Sequence, residues 1–560
     1  MRRVLLAVAV LLVSALLSTS LTLAAPRDAT EPIDKRSGFY SFETFRVSLP
    51  SGTSGPGRGT IAGIVCTQSP GTQPAEFAGN WLLNCDGIGP HNENTIAVNP
   101  NNAAQIAAGS HSYLIEQTGG FLNFHVIAAA YVSSNGGASW TNVHPPLGRW
   151  QFTGDPVLFF DDSNHLYYVN LADHEGQGGP FTQVSIIAQR SSDNGLTWTD
   201  PVTVAKGQGA IAFGPGGPLV FNDKPWATAD TTGGPRNNWV YVTYTRFLFF
   251  QGSYIESPIY FSRSTNGGKT WSTPKEISGT SAALCTQQIN NSGAANRCDE
   301  NQFSQPVVAP DGTLYVSFLN EQNPASTDFR DQVLVVKSTD GGTTWTGPYA
   351  ASGVIHDGAN DYPLNTDGRQ RLTGCAFRTH AGGAVAADPT TAGRLYYVYT
   401  ENTTPGANTQ TDIMVVRSDN GGVTWTGPLT VNTSAADQIY PWATVDGNGI
   451  LHVGYIDRDR APVAGQPCVY GFTLSSATTS PAAGFTHAAQ ESAVSVASNS
   501  RWFRSPTTAV PGNTRFIGDY FQITAGPDLS IWSTWTDMRQ SVTLFGLTAK
   551  DQDAVAEQKP

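Results

Sequence analysis

Ser338-Thr-Asp-Gly-Gly-Thr-Thr-Trp345 (STDGGTTW) is one of five versions of a single eight-residue phrase in this chain. The others are Ser133–Trp140 (SSNGGASW), Ser191–Trp198 (SSDNGLTW), Ser264–Trp271 (STNGGKTW) and Ser418–Trp425 (SDNGGVTW). All read Ser, any, Asp or Asn, any, Gly, any, Ser or Thr, Trp, and apolar runs such as Gln183–Ala188, Val333–Val336 and Ile413–Val416 precede them. Asp or Asn at the third place can accept backbone N–H groups further round a turn, and Gly at the fifth can take positive φ. The phrase therefore reads as a hairpin corner whose Trp lays a large ring against a neighbouring strand. On this chemistry the repeated aspartates are structural, and their recurrence names a repeat architecture.

A second repeat interleaves with the first: a short apolar strand, an Asp or Asn turn, and an aromatic-rich strand. It starts at Thr95, Pro156, Pro225, Pro306, Ala384, Pro441 and Tyr520, with turn residues Asn99, Asp161, Asp230, Asp311, Asp388, Asp446 and Asp528 spaced 58 to 82 residues apart. Each interval has room for four strands, so the expectation is an all-β chain folded as a β-propeller, of seven blades or, if the first or last unit is not a full blade, of six. Unit six carries a worn corner near Leu474–Thr486, and unit seven offers only Val542–Thr548 as a third strand. Its outer strand is expected from the N-terminal run Gly38–Leu49, which would close the ring.

The repeat runs without a linker, so one large domain is expected over 91–550. Residues 1–25, with Arg2 and Arg3, an apolar run from Val4 to about Leu23 and small residues before Pro26, have the layout of a secretory signal peptide. An uncleaved membrane anchor is the alternative. Residues 26–90 read as an extension holding the ring-closing strand and a disulfide loop, and 551–560 as a polar tail. Six cysteines after an export signal suggest disulfides. Loops at one face of a propeller would bring together Cys66 with Cys85, Cys285 with Cys298, and Cys375 with Cys468. A net charge of −12 with 14% charged residues, and no basic run after Arg3, argues against nucleic acid or an anionic membrane as partner.

The start of each inner strand and the end of its neighbour share one face, opposite the corner phrases. Before the inner strands stand Glu93, Asp155, Asp223, Asp299 with Glu300, His380, Asp437 and Asp519. After the second strands stand Asp173 with His174, Arg246, Glu321, Glu401, Asp457 with Arg458, and Asp537 with Arg539. Salt bridges holding loops are the plain reading of any one of them. As a set they fit a carbohydrate site, because glycoside hydrolysis needs two closely placed carboxyl groups and arginines grip a substrate carboxylate through forked hydrogen bonds. Candidate catalytic residues are Asp155, Asp223, Asp519 and Tyr520, and candidate substrate-binding residues are Arg246, Arg458 and Arg539, with Arg46 in reserve.

The corner phrase resembles the Asp-box, or BNR repeat, of the sialidase-like superfamily of secreted propellers. That resemblance implies the propeller fold and a glycan or polysaccharide partner. True sialidases use an arginine triad, a Tyr nucleophile assisted by Glu, and an Asp acid/base, with the first arginine in a Phe-Arg-Ile-Pro sequence. Here Phe45-Arg46-Val47-Ser48-Leu49-Pro50 departs from that spacing. Asn222–Trp226, Gly518–Tyr520 and Trp535–Arg539 resemble secreted bacterial propellers of exo-sialidase type. The expectation is a secreted, monomeric, sialidase-like exo-glycosidase, and the alternative a propeller that binds carbohydrate or protein without cleaving it. No cofactor is expected; a structural calcium ion held by the carboxylates is the one metal to consider.

Overall fold

The inner strand of each expected unit is present, and around each a four-stranded blade is built. The computed structural model describes residues 47–48 and 62–559, apart from 119–120, 174–183, 210–217, 251–252, 288–295, 324–329, 359, 366–367, 407, 433, 490–494, 501, 504–513 and 545–546. The signal-peptide region and Arg46 lie outside the described residues, as does His174.

Seven blades form the propeller, each an antiparallel sheet running outward from the axis. Blade 1 is His91–Asn99, Asn102–Thr118, Phe121–Ser133 and Trp140–His144, with Gly63–Gln68 added at its edge. Blade 2 is Phe152–Phe160, Leu166–Asp173, Ser185–Ser191 and Val202–Ala205, and blade 3 is Leu219–Ala229, Val240–Phe250, Ile259–Ser264 and Lys275–Glu276. Blade 4 is Asn301–Val308, Leu314–Asn320, Gln332–Ser338 and Thr346–Ala350, and blade 5 is Ala384–Ala387, Leu395–Asn402, Thr411–Ser418 and Thr426–Thr430. Blade 6 is Gln438–Val445, Leu451–Asp457, Val469–Ala477 and Phe485–Ala489. Because each blade is sandwiched between two others, even a third strand such as Gln332–Ser338 (QVLVVKS) is buried on both faces and reads as a continuous apolar run.

The corner phrases do what their chemistry demands. In Ser338–Trp345, Asp340 Oδ1 accepts the Ser338 hydroxyl at 2.8 Å and the Thr344 N–H at 2.9 Å, and the Gly342 N–H returns to Ser338 Oγ at 2.8 Å. Each corner also wedges against the preceding blade. Gly342, at φ +88°, lies so close to the Phe261 ring of blade 3 that an added Cβ would meet it at 2.3 Å, while Trp345 stands edge-on to the same ring at 5.1 Å. Arg263 of blade 3 donates to the Gly341 carbonyl at 2.6 Å, and Lys337 of blade 4 donates to that of Gly421 at 2.7 Å.

Ring closure differs from the sequence expectation in three ways. Blade 7 is Gln522–Ala525, Ile531–Asp537, Asp553–Lys559 and Trp81–Leu82. The outermost strand therefore comes from Trp81–Leu82, still within the N-terminal extension, whereas Val47–Ser48 pairs with Leu122 and Phe121 of blade 1. The third strand is the supposed polar tail: Ala554, Val555 and Ala556 are fully buried, and Val555 pairs opposite Trp535. The strand was hidden because its apolar run is three small residues long and its charged members are buried with partners, Asp553 with Asn84 Nδ2 at 3.1 Å and Glu557 with Asn80 Nδ2 at 3.1 Å. Val542–Thr548, the more apolar stretch, belongs to a separate hairpin of Ser541–Leu544 with Leu547–Lys550. The three disulfides join Cys66 to Cys85, Cys285 to Cys298 and Cys375 to Cys468, as expected.

Candidate functional site

The inner strands are not regular. In five blades the pairing with the second strand skips two residues, and the first of the skipped pair has positive φ: Glu93 (56°), Asp155 (48°), Lys224 (47°), Phe303 (59°) and Tyr440 (56°). Such a bulge bends the strand and re-aims a side chain, at a conformational cost of roughly 1–3 kcal/mol for a residue other than glycine. Repeated round the ring, it places a set of polar and aromatic side chains in contact about the axis.

Lys224 is the hub of that set. Its Nζ lies 3.5 Å from the centre of the Tyr520 ring and 4.4 Å from that of Trp226, and Trp226 packs on Trp442 at 4.4 Å. Asp519 is gripped by Arg378 through a forked pair, with Nε to Oδ1 at 2.6 Å. His380 stacks on Phe303 at 4.0 Å and bonds to the Asp519 carbonyl at 2.8 Å, while its other ring nitrogen accepts the Gly382 N–H at 3.0 Å. Asp223 accepts from Gln302 Nε2 at 2.7 Å. Lys224, Phe303, His380, Tyr440, Trp442 and Tyr520 line a cavity of about 10 Å³, the space of one water molecule.

Burial with neighbouring like charges sets the protonation of the site. Burial, helped by Asp155, pushes the Asp223 carboxyl up to about 7. Burial lowers Lys224 to about 8 against the pull of the surrounding carboxylates. Glu93 is raised well above the ordinary carboxylate value by burial and then by Asp155 and Asp519. Burial opposes ionisation of Asp519 too, but Arg378 outweighs it and holds that carboxyl below its usual value. Burial takes His380 down to about 4, so it is neutral at physiological pH.

The structure thus brings Asp155, Asp223, Asp519 and Tyr520 into one buried cluster. The Tyr520 hydroxyl is turned aside, donating to the Pro156 carbonyl at 3.1 Å. The three arginines are elsewhere. Arg246 lies over Tyr260, with Nη1 to the hydroxyl at 3.3 Å. Arg458 binds Asp437 at 2.6 Å and the Thr373 carbonyl at 2.7 Å. Arg539 forks onto Asp537 at 2.9 and 2.7 Å and covers Phe77. Arg246 lies within a second strand and Arg458 and Arg539 just after theirs, one strand spacing of about 4.8 Å further from the axis than the bulges, and they find acids or rings there.

The cations of the cluster are instead Lys224 and Arg378. Lys224 stands inside Asn222–Trp226, a phrase visible in the sequence, but Arg378 comes from the loop entering blade 5 and His111 from a second strand, where no pattern marks them. Among the described residues, one set of acids and histidine comes close enough to share an ion: Glu93, His111 and Asp155, with ligand atoms within 4.8 Å of one another.

Residues 151–453, from the first strand of blade 2 into the second strand of blade 6, match the family described as BNR repeat-like domain. No curated protein sequence matches the chain. Solved structures with a similar fold include a protein of unknown function from Dyadobacter fermentans (12% identity, 74% of this chain and 97% of that one, TM-score 0.40). Two others are the NanB sialidase from Streptococcus pneumoniae (9%, 81% and 83%, 0.40) and an ulvan lyase of a polysaccharide lyase family (13%, 72% and 79%, 0.40). The family match covers more than half of the chain and four of the five corner phrases; the chain belongs to the BNR repeat-like domain family, folded as a seven-bladed propeller.

Proposed function

We propose that this protein is a secreted glycoside hydrolase of sialidase-like type, acting on terminal sugars of exposed glycans at the axial cluster opposite the corner phrases. The observation that carries the reading is the pair formed by Asp223 and Lys224 on one bulge. One is a buried acid that titrates at about 7, the other a buried amine that titrates at about 8, so proton transfer and recognition of an anionic group are both available near neutrality. Asp223 is the proton donor in this reading. Lys224 and the Arg378–Asp519 pair form the anion-recognising side, and Tyr440, Trp442 and Tyr520 form the apolar walls against which a sugar ring can stack. Export is supported by the three disulfides, which suit an oxidising compartment, and by the absence among the described residues of a helix long and apolar enough to cross a membrane.

The size of the cavity favours a second reading. With room for one water molecule, the site admits a sugar only if its walls move, and a propeller that binds glycan without cleaving it needs no such opening. Release of fluorophore from aryl glycosides, beginning with the sialic acid derivative, separates the two. Turnover that Asp223→Asn abolishes supports the hydrolase, whereas retention on a glycan surface with no release from any substrate supports the binding propeller.

A further inference from the structure

Glu93, His111 and Asp155 meet with no proton offered to either acid by the ring nitrogen between them. His111 Nε2 lies 3.4 Å from Glu93 Oε2 and 3.5 Å from Asp155 Oδ1, yet it receives the Asp155 backbone N–H at 2.6 Å. A ring nitrogen that accepts an N–H carries its lone pair outward, so it cannot donate to either carboxylate. Two carboxylates and a ring nitrogen therefore converge, all of them buried; Glu93 Oε2 accepts no hydrogen bond, and the ring lone pair is held by the Asp155 N–H, which an ion bound there would displace. Leaving such atoms unmatched away from water is costly. The wider cluster is rich in carboxyl groups: Glu93, Asp155, Asp223 and Asp519 stand about Lys224 and Arg378, with Arg369 further out on the Asp519 side. Both acids are held inward by left-handed backbone, at φ 56° and 48°, so the convergence is built into the bulges of two adjacent blades.

We propose that Glu93, His111 and Asp155 bind a divalent transition-metal ion, zinc in the first instance, with water completing its shell. Two carboxylate oxygens and one imidazole nitrogen form a three-ligand set with an open position, the composition zinc accepts. Calcium, the ion the carboxylates alone suggest, takes six to eight oxygens and gains little from a nitrogen ligand. The inference does not depend on the hydrolase reading, since the site would brace blades 1 and 2 in an enzyme or in a binding propeller.

The test is metal retention by the whole disulfide-bonded protein, stripped with chelator, offered zinc, and passed through gel filtration before elemental analysis. About one zinc per chain is expected, with affinity at least about a hundredfold weaker in Glu93→Gln and in His111→Gln, since even outer-shell changes cost about 10- to 100-fold. Asp155→Asn serves where either of those fails to fold. In the unmutated protein, zinc should raise the melting midpoint, cobalt in its place should give visible absorption bands, and calcium in excess should displace neither. Failure to retain zinc, equal retention in variants that melt as folded proteins, or displacement by calcium overturns the proposal.

Discussion

Asp and Asn alternate at the third place of the corner phrases, and the hydrogen bonds explain why both serve. Asp340 accepts from the Thr344 hydroxyl at 2.6 Å, whereas Asn420 donates through Nδ2 to the Thr424 hydroxyl at 2.8 Å, and both accept the amide four residues later. The hydroxyl reverses its role and the corner survives. Asp340→Asn should therefore leave stability at neutral pH within about 0.5 kcal/mol. Its signature is in acid. The slight burial of Asp340 is outweighed by hydrogen bonds from Thr344 and Ser338, which depress its carboxyl below the ordinary 3.8. A depressed acid stabilises the fold above its unfolded value and loses that contribution as pH falls through the folded one, so the asparagine variant should lose less stability in that range, read as melting midpoint against pH. Asp223 has the opposite sign. Its folded value of about 7 lies above 3.8, so its contribution is fully present below 3.8 and is lost as pH rises toward 7; Asp223→Asn should flatten the stability profile across that window. If Asp223 donates the proton, kcat/KM should fall above about pH 7, and the asparagine variant should be about 10²- to 10⁴-fold slower on a substrate whose leaving group needs protonation.

At the scale of strands and corners, two repeated devices carry the structure, and only one is written plainly in the sequence. The corner is visible because its turn requires Asp or Asn, glycine and Trp at fixed offsets. Gly342→Ala should cost about 3 kcal/mol or more, adding strain at φ +88° to the clash with Phe261 at 2.3 Å. Gly136→Ala, at φ +68° with nothing within 4 Å, should cost about 1 kcal/mol, and the difference in denaturation midpoints isolates the contact between blades. The bulges of the inner strands are marked unevenly, by a proline after Asp155, Lys224 and Tyr440 but not after Glu93 or Phe303. Glu93, Asp155, Lys224, Phe303 and Tyr440 share a backbone conformation and no side-chain chemistry, so acids near the strand starts could be read from the sequence but the register that gathers them could not. For the same reason Asp223 was legible and Lys224, the next residue, was not. Asp155, Asp223, Asp519 and Tyr520 came together because they occupy equivalent places in the repeat; the arginines, read one strand too far out, did not.

Across the whole molecule, the blade count followed from the turn residues Asn99 to Asp528, while the seam did not, because apolarity pointed to Val542–Thr548 and the buried strand is Asp553–Lys559. The two assignments predict different mutants. Val555→Asp places a charge at a fully buried position of blade 7 and should cost about 3–5 kcal/mol or prevent folding, whereas Val542→Asp, in the outlying hairpin, should cost about 1 kcal/mol or less, both measured by chemical denaturation. The seam is laced by side chains as well as strands: Asn92 Nδ2 donates to Gln552 at 3.0 Å, the His91 N–H to the Gln552 carbonyl at 2.8 Å, and the Leu83 N–H to that of Ala554 at 2.8 Å. Trp81–Leu82 therefore leaves the ribosome early and has no sheet to join until some 470 residues later, when Ala556 arrives opposite Trp81. Six blades can assemble as they emerge, but the circle remains an open crescent with a bare edge at each end throughout synthesis, and its closure is a single late event that joins the earliest part of the propeller to the latest.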